Sequence, residues 1–180
     1  WMMSNANDLI SFHLQKALAI FSQGEYYHSL LNAKDEYFSI TGKINEDEEH
    51  FEQKMNLFND WYLFNYHIEA KEKSPIQIYG ESLEDKALAK ALAEVKFSVF
   101  EYTKNTLRSE PVLKDEIWGT KYTLKKEGAG PGILKGDLFI TGVFTYDGTS
   151  ELTDGLCLLP VRAAGSIRKQ CKKIFKLGDE

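Results

Sequence analysis

An aromatic-rich segment at residues 51–68 restricts the fold of this chain more than any other part of its sequence. Two sets of large apolar side chains recur within it at steps of three and four residues, the spacing that lines one face of an α-helix. The sets are Phe51, Met55, Phe58 and Tyr62 on one face, and Leu57, Trp61, Phe64 and Ile68 on the neighbouring face. Because a helix with two apolar faces must be covered on both, this segment predicts the central helix of a helical core.

The sequence before this segment predicts two further helices. One apolar stripe begins after Asn7 or Asp8, either of which can cap a helix with its short polar side chain, and continues to about Ser22. A second stripe runs from Tyr27 to Thr41-Gly42, where the glycine suits the left-handed conformation that often ends a helix. Two helices joined by so short a turn predict an αα-hairpin.

Acidic residues and helix-start signals flank the central helix. Residues 45–52 place several carboxylates on its first turn, where they favour the positive end of the helix dipole. After it, Ser74-Pro75 combines a capping residue with proline at the first helical position, and Ser82 followed by Asp85 resembles a capping box. We therefore predict four main helices and a short connector in an N-terminal helical domain, residues 4–95.

The sequence pattern changes from helical to strand-like near Phe97. Large and small residues alternate there, which favours a strand, and turn dipeptides such as Asp147-Gly148 separate the later candidates. The predicted strands are residues 98–102, Pro111–Ile117, Lys121–Lys126, Asp137–Tyr146 and Leu156–Leu159. Five short antiparallel strands in a domain of residues 96–160 predict a small SH3-like barrel or a curled sheet. The expected fold class is α+β, with the helical bundle packed on this small β domain.

Residues 161–177 predict a C-terminal helix with a strong charge asymmetry. The apolar positions expected to face the protein are Val161, Ile167, Cys171, Ile174 and Phe175. The cations opposite them, with no acid before Asp179, are Arg162, Arg168, Lys169, Lys172, Lys173 and Lys176. One hypothesis is that this basic face is only solvated or pairs with the acidic residues 46–52. The other is that it contacts an acidic partner, a nucleic-acid backbone or an anionic membrane surface.

Several short blocks of the chain together resemble an uncharacterised bacterial family built from a helical N-terminal half and a small β C-terminal half. The blocks lie within residues 30–165 and consist of Tyr37 with Thr41-Gly42, Phe58 with Asp60, Trp61 and Tyr62, Ser74-Pro75, Phe100-Glu101, Gly136-Asp137 and Pro160. Asn65 departs from the acid that such proteins tend to carry at that position. The resemblance implies the two-part architecture and, since the family has no assigned function, no catalytic residue.

Two carboxylate–histidine spacings raise the question of a metal site. Glu25 lies three residues before His28, and Asp47 three residues before His50, so each pair would share one face of a helix. A carboxylate-bridged di-iron site also needs acids from two further helices that project inward. Both pairs instead lie at predicted helix starts in charged surroundings. We therefore predict no metal ion and no other cofactor.

The sequence motifs supply no recognisable nucleophile or phosphate-binding loop. No serine lies in the pattern G-x-S-x-G, and the glycine-rich residues 128–132 lack the lysine and following helix of a P-loop, so they predict a flexible hairpin loop. Cys157 lies in an apolar strand, which raises a thiol pKa, whereas the cations around Cys171 would lower its pKa and make it the better candidate for a reactive thiol. For Cys171 the favoured interpretation is nevertheless a packed small residue. We predict no catalytic residue, and His13 and His67 are expected to be structural.

Charge, cysteine content and hydropathy indicate the cellular compartment of the protein and the kinds of partner it can bind. The net charge of −5 at pH 7 gives an average field that repels phosphates, although a local basic face can still attract them. The two cysteines lack CxxC spacing, which fits a reducing compartment, although one disulfide between them stays open. No apolar run approaches the roughly 18 residues of a membrane span, and no secretory signal is visible. These features predict a cytoplasmic protein.

Together these observations favour a non-enzymatic protein–protein interaction protein with a regulatory or adaptor role. Its expected partner is another protein, and the sequence leaves the oligomeric state open. One alternative is a nucleic-acid-binding protein that uses the β barrel and the basic C-terminal helix. The other is an enzyme whose residues converge only in three dimensions.

Overall fold

The computed structural model describes residues 8–104, 110–125 and 132–178 of the chain. They form helices and one five-stranded antiparallel sheet, which confirms the predicted α+β class. The described residues divide into two compact units. The helical unit comprises residues 8–95 and Thr153–Gly155, and the sheet unit comprises the described residues within 96–152 and 156–178. The domain boundaries derived from the sequence stay predictions, and most of the predicted glycine-rich loop, residues 128–132, lies outside the described residues.

The helical unit contains the predicted αα-hairpin and the central helix. Its helices are α1 (Leu9–Phe21), α2 (Tyr27–Thr41), α3 (Phe51–Phe64), α4 (Pro75–Glu81) and α5 (Lys86–Ala93). A single 3-10 turn, Gly24–Tyr26, joins α1 to α2, and α2 ends at Gly42, whose φ of 87° favours glycine. Within the described residues, no helix of either unit has the length and apolar character needed to cross a membrane.

Helix α3 is the centre of the helical core, as predicted, but it is shorter than the apolar pattern indicates. Phe58 and Tyr62 are fully buried, and the Tyr62 hydroxyl donates a hydrogen bond to the carbonyl oxygen of Phe21 (2.7 Å). The helix ends at Phe64 because the chain turns back, and Ile68 pairs with Lys73 in an isolated β-bridge. The prediction that Ile68 is helical is therefore wrong, although its side chain is buried.

The starts of α4 and α5 show one correct and one wrong capping prediction. The Ser74 hydroxyl accepts from the backbone N–H of Gln77, and the Gln77 side chain accepts from the backbone N–H of Ser74, so α4 has a complete capping box. Ser82 ends α4 instead of starting α5. The cap of α5 is Asp85, whose carboxylate accepts from the backbone N–H of Leu88 (3.0 Å).

This assignment predicts unequal effects for two neighbouring substitutions. Asp85→Ala should lower the free energy of unfolding by about 1 kcal/mol, because it removes the acceptor for an exposed helix N–H. Ser82→Ala removes only a hydrogen bond to the carbonyl oxygen of Tyr79 and should cost less. Urea unfolding of both variants measures the difference. A loss of stability for Ser82→Ala that equals or exceeds the loss for Asp85→Ala would show that Ser82 caps α5, as the sequence predicted.

The sheet unit contains all five predicted strands. They are β1 (Lys96–Lys104), β2 (Pro111–Asp115), β3 (Lys121–Thr123), β4 (Leu138–Tyr146) and β5 (Thr149–Leu158), in the order β3-β2-β1-β4-β5. The turn between β4 and β5 is Asp147-Gly148, and both residues have positive φ, 51° and 72°, as a type I′ hairpin turn requires. The last strand begins at Thr149 and not at Leu156 as predicted. The first residues of β5 are polar, so they lack the apolar alternation that predicts a strand. They nevertheless pair with β4, and Ser150 shares a hydrogen bond with Thr145 (2.8 Å).

The sheet curls so that its two edge strands come together at one point. Leu124, just after β3, forms a parallel bridge with Ser150 of β5, and Lys125 forms an ion pair with Glu151 beside it. The ladder does not close into a barrel along the described residues. The buried side chains enclosed by the curl are Phe100, Leu113, Leu124, Ile133, Phe139, Val143 and Leu156.

Strand β5 contains an irregularity that places three of its residues in the helical unit. Thr141 pairs with Leu156 and Val143 pairs with Leu152, so Thr153–Gly155 occupy a position where β4 has a single residue. Extra residues of this kind form a β-bulge, which leaves backbone groups unpaired and redirects side chains. Through this bulge the residues Thr153–Gly155 belong to the helical unit.

Candidate functional site

The predicted basic helix exists, and its lysines form one exposed stripe. Helix α6 (Ala164–Gly178) follows a 3-10 turn, Val161–Ala163. The lysines stand at relative positions i, i+3, i+4 and i+7, which places them on one side of the helix over about 10 Å. This lysine stripe consists of Lys169, Lys172, Lys173 and Lys176, all of them exposed. Within the described ranges none of the four forms an ion pair.

The two predicted arginines do not belong to the lysine stripe. Arg162 is exposed on the 3-10 turn that precedes α6. Arg168 lies nearer the packed side of α6, and its guanidinium nitrogens lie 3.4 Å from an oxygen of Glu101 and 3.7 Å from an oxygen of Glu116. Arg168 therefore attaches the helix to the sheet unit, a role that the sequence pattern could not separate from that of the lysines.

Apolar contacts hold the opposite side of α6 in place. Cys171 is only 2% exposed, and the rings of Phe175 and Trp118 meet edge to face at 5.8 Å. A Cβ atom added to Gly178 would lie 2.6 Å from the Trp118 ring, so the end of the helix is tightly packed. Val161, predicted to face the protein, is 81% exposed, because the 3-10 turn precedes the packed part of the helix. Ile174, also predicted to face the protein, is 48% exposed. Helix α6 is therefore joined to the sheet at Cys171, Phe175 and Gly178, and the lysine stripe lies on its exposed side.

Cys171 is a packed, buried residue, as the favoured interpretation predicted, and the lowered pKa that its neighbouring cations indicated is wrong. Burial raises the pKa of its thiol, and the carboxylates of Glu116 and Asp115 raise that pKa further, which outweighs the nearby Arg168. The sequence placed cations around Cys171 but could not show that Glu116 and Asp115, about 55 residues earlier, also act on its thiol. Cys157 and Cys171 are free thiols, so the possible disulfide is not formed.

The carboxylate–histidine spacings do not build a metal centre among the described residues. Glu25 lies in the 3-10 turn Gly24–Tyr26 and His28 in α2, while His50 precedes α3 with a φ of 67°. Across residues 8–104, 110–125 and 132–178, no three His, Cys, Asp or Glu side chains come together in a way that could hold a metal ion.

The structure reveals one polar site that the sequence reasoning missed, in the core of the helical unit. Asp60 of α3 is 3% exposed, and its Oδ2 accepts a hydrogen bond from the backbone N–H of Gly155 (2.9 Å). The Thr153 side chain also hydrogen bonds to this carboxyl. Between them, Asp154 accepts a hydrogen bond through its Oδ1 from the hydroxyl of Ser11 on α1 (2.9 Å). We call these five residues the buried acid site.

Burial dominates the electrostatics of this site. Loss of hydration raises the pKa of Asp60 to about 7, and the neighbouring Asp154 adds to the rise, although hydrogen bonds from Thr153 and Gly155 oppose it. Burial also raises the pKa of Asp154, against the hydrogen bond from Ser11. At neutral pH the site therefore holds one carboxyl group that is partly protonated.

A nearby histidine on α1 behaves as the sequence predicted. His13 is buried, and its Nδ1 lies 2.7 Å from the Tyr79 hydroxyl of α4. Burial lowers the pKa of this imidazole, and Lys16 lowers it further, so His13 stays neutral at neutral pH. His67 is exposed. Both histidines have the structural or solvated roles expected of them.

The sequence did contain one sign of the buried acid site. Asp60 has apolar residues at three of its four neighbouring helical positions, Leu57, Leu63 and Phe64, which favours a buried side chain. Its hydrogen-bond partners lie about ninety residues later in the chain. Since such pairs depend on the tertiary fold, no local pattern could name them.

Comparison of this chain with family models, with curated proteins and with solved structures finds no match. The resemblance to a two-part bacterial family therefore stays a prediction. The function has to be argued from the two sites themselves.

Proposed function

We propose that this chain is a non-enzymatic docking protein that presents the lysine stripe of α6 to an acidic protein partner. The observation that carries the proposal is the stripe itself, four exposed lysines on one side of a helix whose other side is anchored. A formed helix holds the four lysines at a constant spacing, so a partner does not need to order the backbone that carries them. Complementary charge then supplies orientation and a fast association rate.

A nucleic acid is the second candidate partner, and the sheet supports it less well. Single-stranded nucleic acids bind to basic grooves in which exposed aromatic rings stack on the bases. Phe139 is fully buried in the sheet unit. Trp118 is 51% exposed, but the ring of Phe175 lies edge to face against it at 5.8 Å and occupies part of its surface. The proposed small SH3-like barrel is compatible with either partner, because the barrel concerns the arrangement of the strands and either partner would bind the basic face of α6. An enzyme remains the third candidate.

A charge-neutral variant of the stripe tests the proposal. The variant carries Lys→Gln at positions 169, 172, 173 and 176, and a matched control carries Lys→Gln at exposed lysines elsewhere, positions 43, 90, 121 and 135. Partners captured from native extract by the unmodified chain are identified, purified and titrated against all three proteins. Since an exposed ion pair contributes about 0.2–1 kcal/mol, the loss of four such pairs should weaken binding to an acidic partner by a factor of about 4 to about 1000, and the control should bind normally.

The same experiment separates the candidate partners. Loss of capture after nuclease treatment, with an affinity that falls steeply with salt, would replace the docking proposal with nucleic-acid binding. A protein partner whose affinity is equal for the stripe variant and the control would show that docking uses another surface.

A further inference from the structure

The buried acid site joins α3 to the β5 bulge with almost no free space. A Cβ atom added to Gly155 would lie 2.6 Å from Asp60 Oδ2 and 3.1 Å from both the carbonyl oxygen of Asn56 and the Cα of Leu57. A gap that cannot hold a methyl group cannot hold a water molecule either. Water therefore reaches Asp60 Oδ2 from the Gly155 side only if the segment Thr153–Gly155 moves away from α3.

The charges around Asp60 do not neutralise it. From β5 it meets the Asp154 carboxyl, which has the same charge, and α1 supplies to Asp154 only the uncharged hydroxyl of Ser11. Of the charged groups among the described residues, Asp154 is the one that acts on the Asp60 carboxyl. On the helices packed against α3, burial lowers the pKa of His13 of α1 and raises that of Tyr79 of α4, so this hydrogen-bonded pair is uncharged at neutral pH, and Lys16 of α1 is exposed. Within the described residues no Lys or Arg forms an ion pair with Asp60 or Asp154.

Ionisation of Asp60 therefore raises the free energy of the closed site. This cost is smaller when the site is open and the carboxylate is hydrated. A proton on Asp60 removes that cost and leaves an oxygen that still accepts from Gly155. We propose that Asp60, Thr153 and Gly155 form a proton-linked latch, which holds the β5 bulge against α3 when Asp60 is protonated and opens more readily when Asp60 is ionised. The proposal concerns the helical unit and does not depend on the docking function of α6.

The direction of the pH dependence follows from linkage. The closed state binds the proton of Asp60 with a pKa of about 7, and a hydrated aspartate has the ordinary value of 3.8. As pH rises from about 4 to about 7, the open state has already lost the proton that the closed state retains. The equilibrium constant for opening then rises up to about tenfold per pH unit, and above pH 7 it becomes constant. The raised pKa of Asp154 acts in the same direction.

Hydrogen exchange at the amide of Gly155, the donor to Asp60, measures this opening. After correction for the intrinsic base catalysis of exchange, the opening constant of the unmodified protein should rise with pH up to about 7 and then level off. Asp60→Asn keeps an amide oxygen that can accept from Gly155 but carries no ionisable group, so its opening constant should lose most of this dependence. The amide of Leu92, which is buried on α5, should behave alike in both proteins.

Two results would overturn the latch. One is a Gly155 opening constant that does not change with pH in the unmodified protein, and the other is an equal pH dependence in Asp60→Asn. If Asp60→Asn does not fold, the pH titration of the Asp60 carboxyl carbon, followed by NMR in the unmodified protein, tests the latch instead. A titration midpoint of Asp60 near 7 supports the latch, and a midpoint near the ordinary aspartate value removes it.

Discussion

Alanine at position 155 is expected to lower the free energy of unfolding of the helical unit by about 3 kcal/mol, at the upper end of the cost of adding atoms to a closely packed core. The added Cβ would lie 2.6 Å from the buried carboxyl of Asp60 and 3.1 Å from backbone atoms of Asn56 and Leu57. Because two of these neighbours are backbone atoms of α3, rotation of a side chain cannot relieve the overlap. Urea unfolding followed by the fluorescence of Trp61, which lies in the helical unit, measures the loss.

A second glycine supplies the matched control for this prediction. Gly165 lies in α6, and a Cβ atom added there would meet no heavy atom within 4 Å. Gly165→Ala should therefore be neutral, or stabilising by about 0.5–1 kcal/mol, since alanine favours a helix interior more than glycine does. The double variant Asp60→Ala with Gly155→Ala should stay destabilised, because the contacts with the α3 backbone persist. A Gly155→Ala protein as stable as the control would show that Gly155 is not packed directly on α3.

The elements that the sequence predicted correctly are those whose signals are local. The stripe from Tyr27 to Thr41 with Gly42 after it gave α2, Ser74-Pro75 gave the start of α4, and Asp147-Gly148 gave the hairpin turn. Each signal depends on contacts within a few residues of the chain, namely a helix face, a cap or a pair of positive φ angles. Such contacts form in the same way whatever the rest of the protein does.

The elements that the sequence missed depend on partners distant in the chain. The first half of β5 reads as polar, and only the neighbouring β4 makes it a strand. The pKa of Cys171 was assigned the wrong direction because burial raises it, and the carboxylates of Glu116 and Asp115, distant in sequence, raise it further. Asp60 is hidden for the same reason, since its donor Gly155 lies on a bulge that no periodicity marks.

The basic face combines both kinds of information. Helical spacing alone identified the lysine stripe, because i, i+3, i+4 and i+7 share a side in any α-helix. The same spacing included Arg168, which the fold uses to join α6 to Glu101 and Glu116. Local pattern thus indicates where charge is displayed, and tertiary contacts decide which charges remain available to a partner.

Phe58→Ala is expected to cost about 4 kcal/mol of stability, within the range of about 3–5 kcal/mol for removing a buried phenylalanine ring. Phe58 is fully buried at the centre of an aromatic cluster, with the rings of Tyr37 at 5.4 Å, Phe38 at 5.3 Å and Tyr62 at 6.2 Å. These rings come from α2 and α3, so the substitution leaves a cavity where the two helices pack. Domains of this size have about 5–15 kcal/mol of stability in total, and the variant should unfold at a much lower urea concentration.

Phe12→Ala is the control that separates burial from the loss of a ring. Phe12 is 51% exposed on α1, where its ring lies beneath the ammonium of Lys16 and beside His13. The same atoms are deleted, but the site is already open to water, so we expect a loss of about 1 kcal/mol or less. If Phe58→Ala cost no more than this control, the cluster around α3 would be loosely packed. A loosely packed α3 could not hold Asp60 against Gly155 in water-free contact, so this comparison also tests the packing that the proton-linked latch requires.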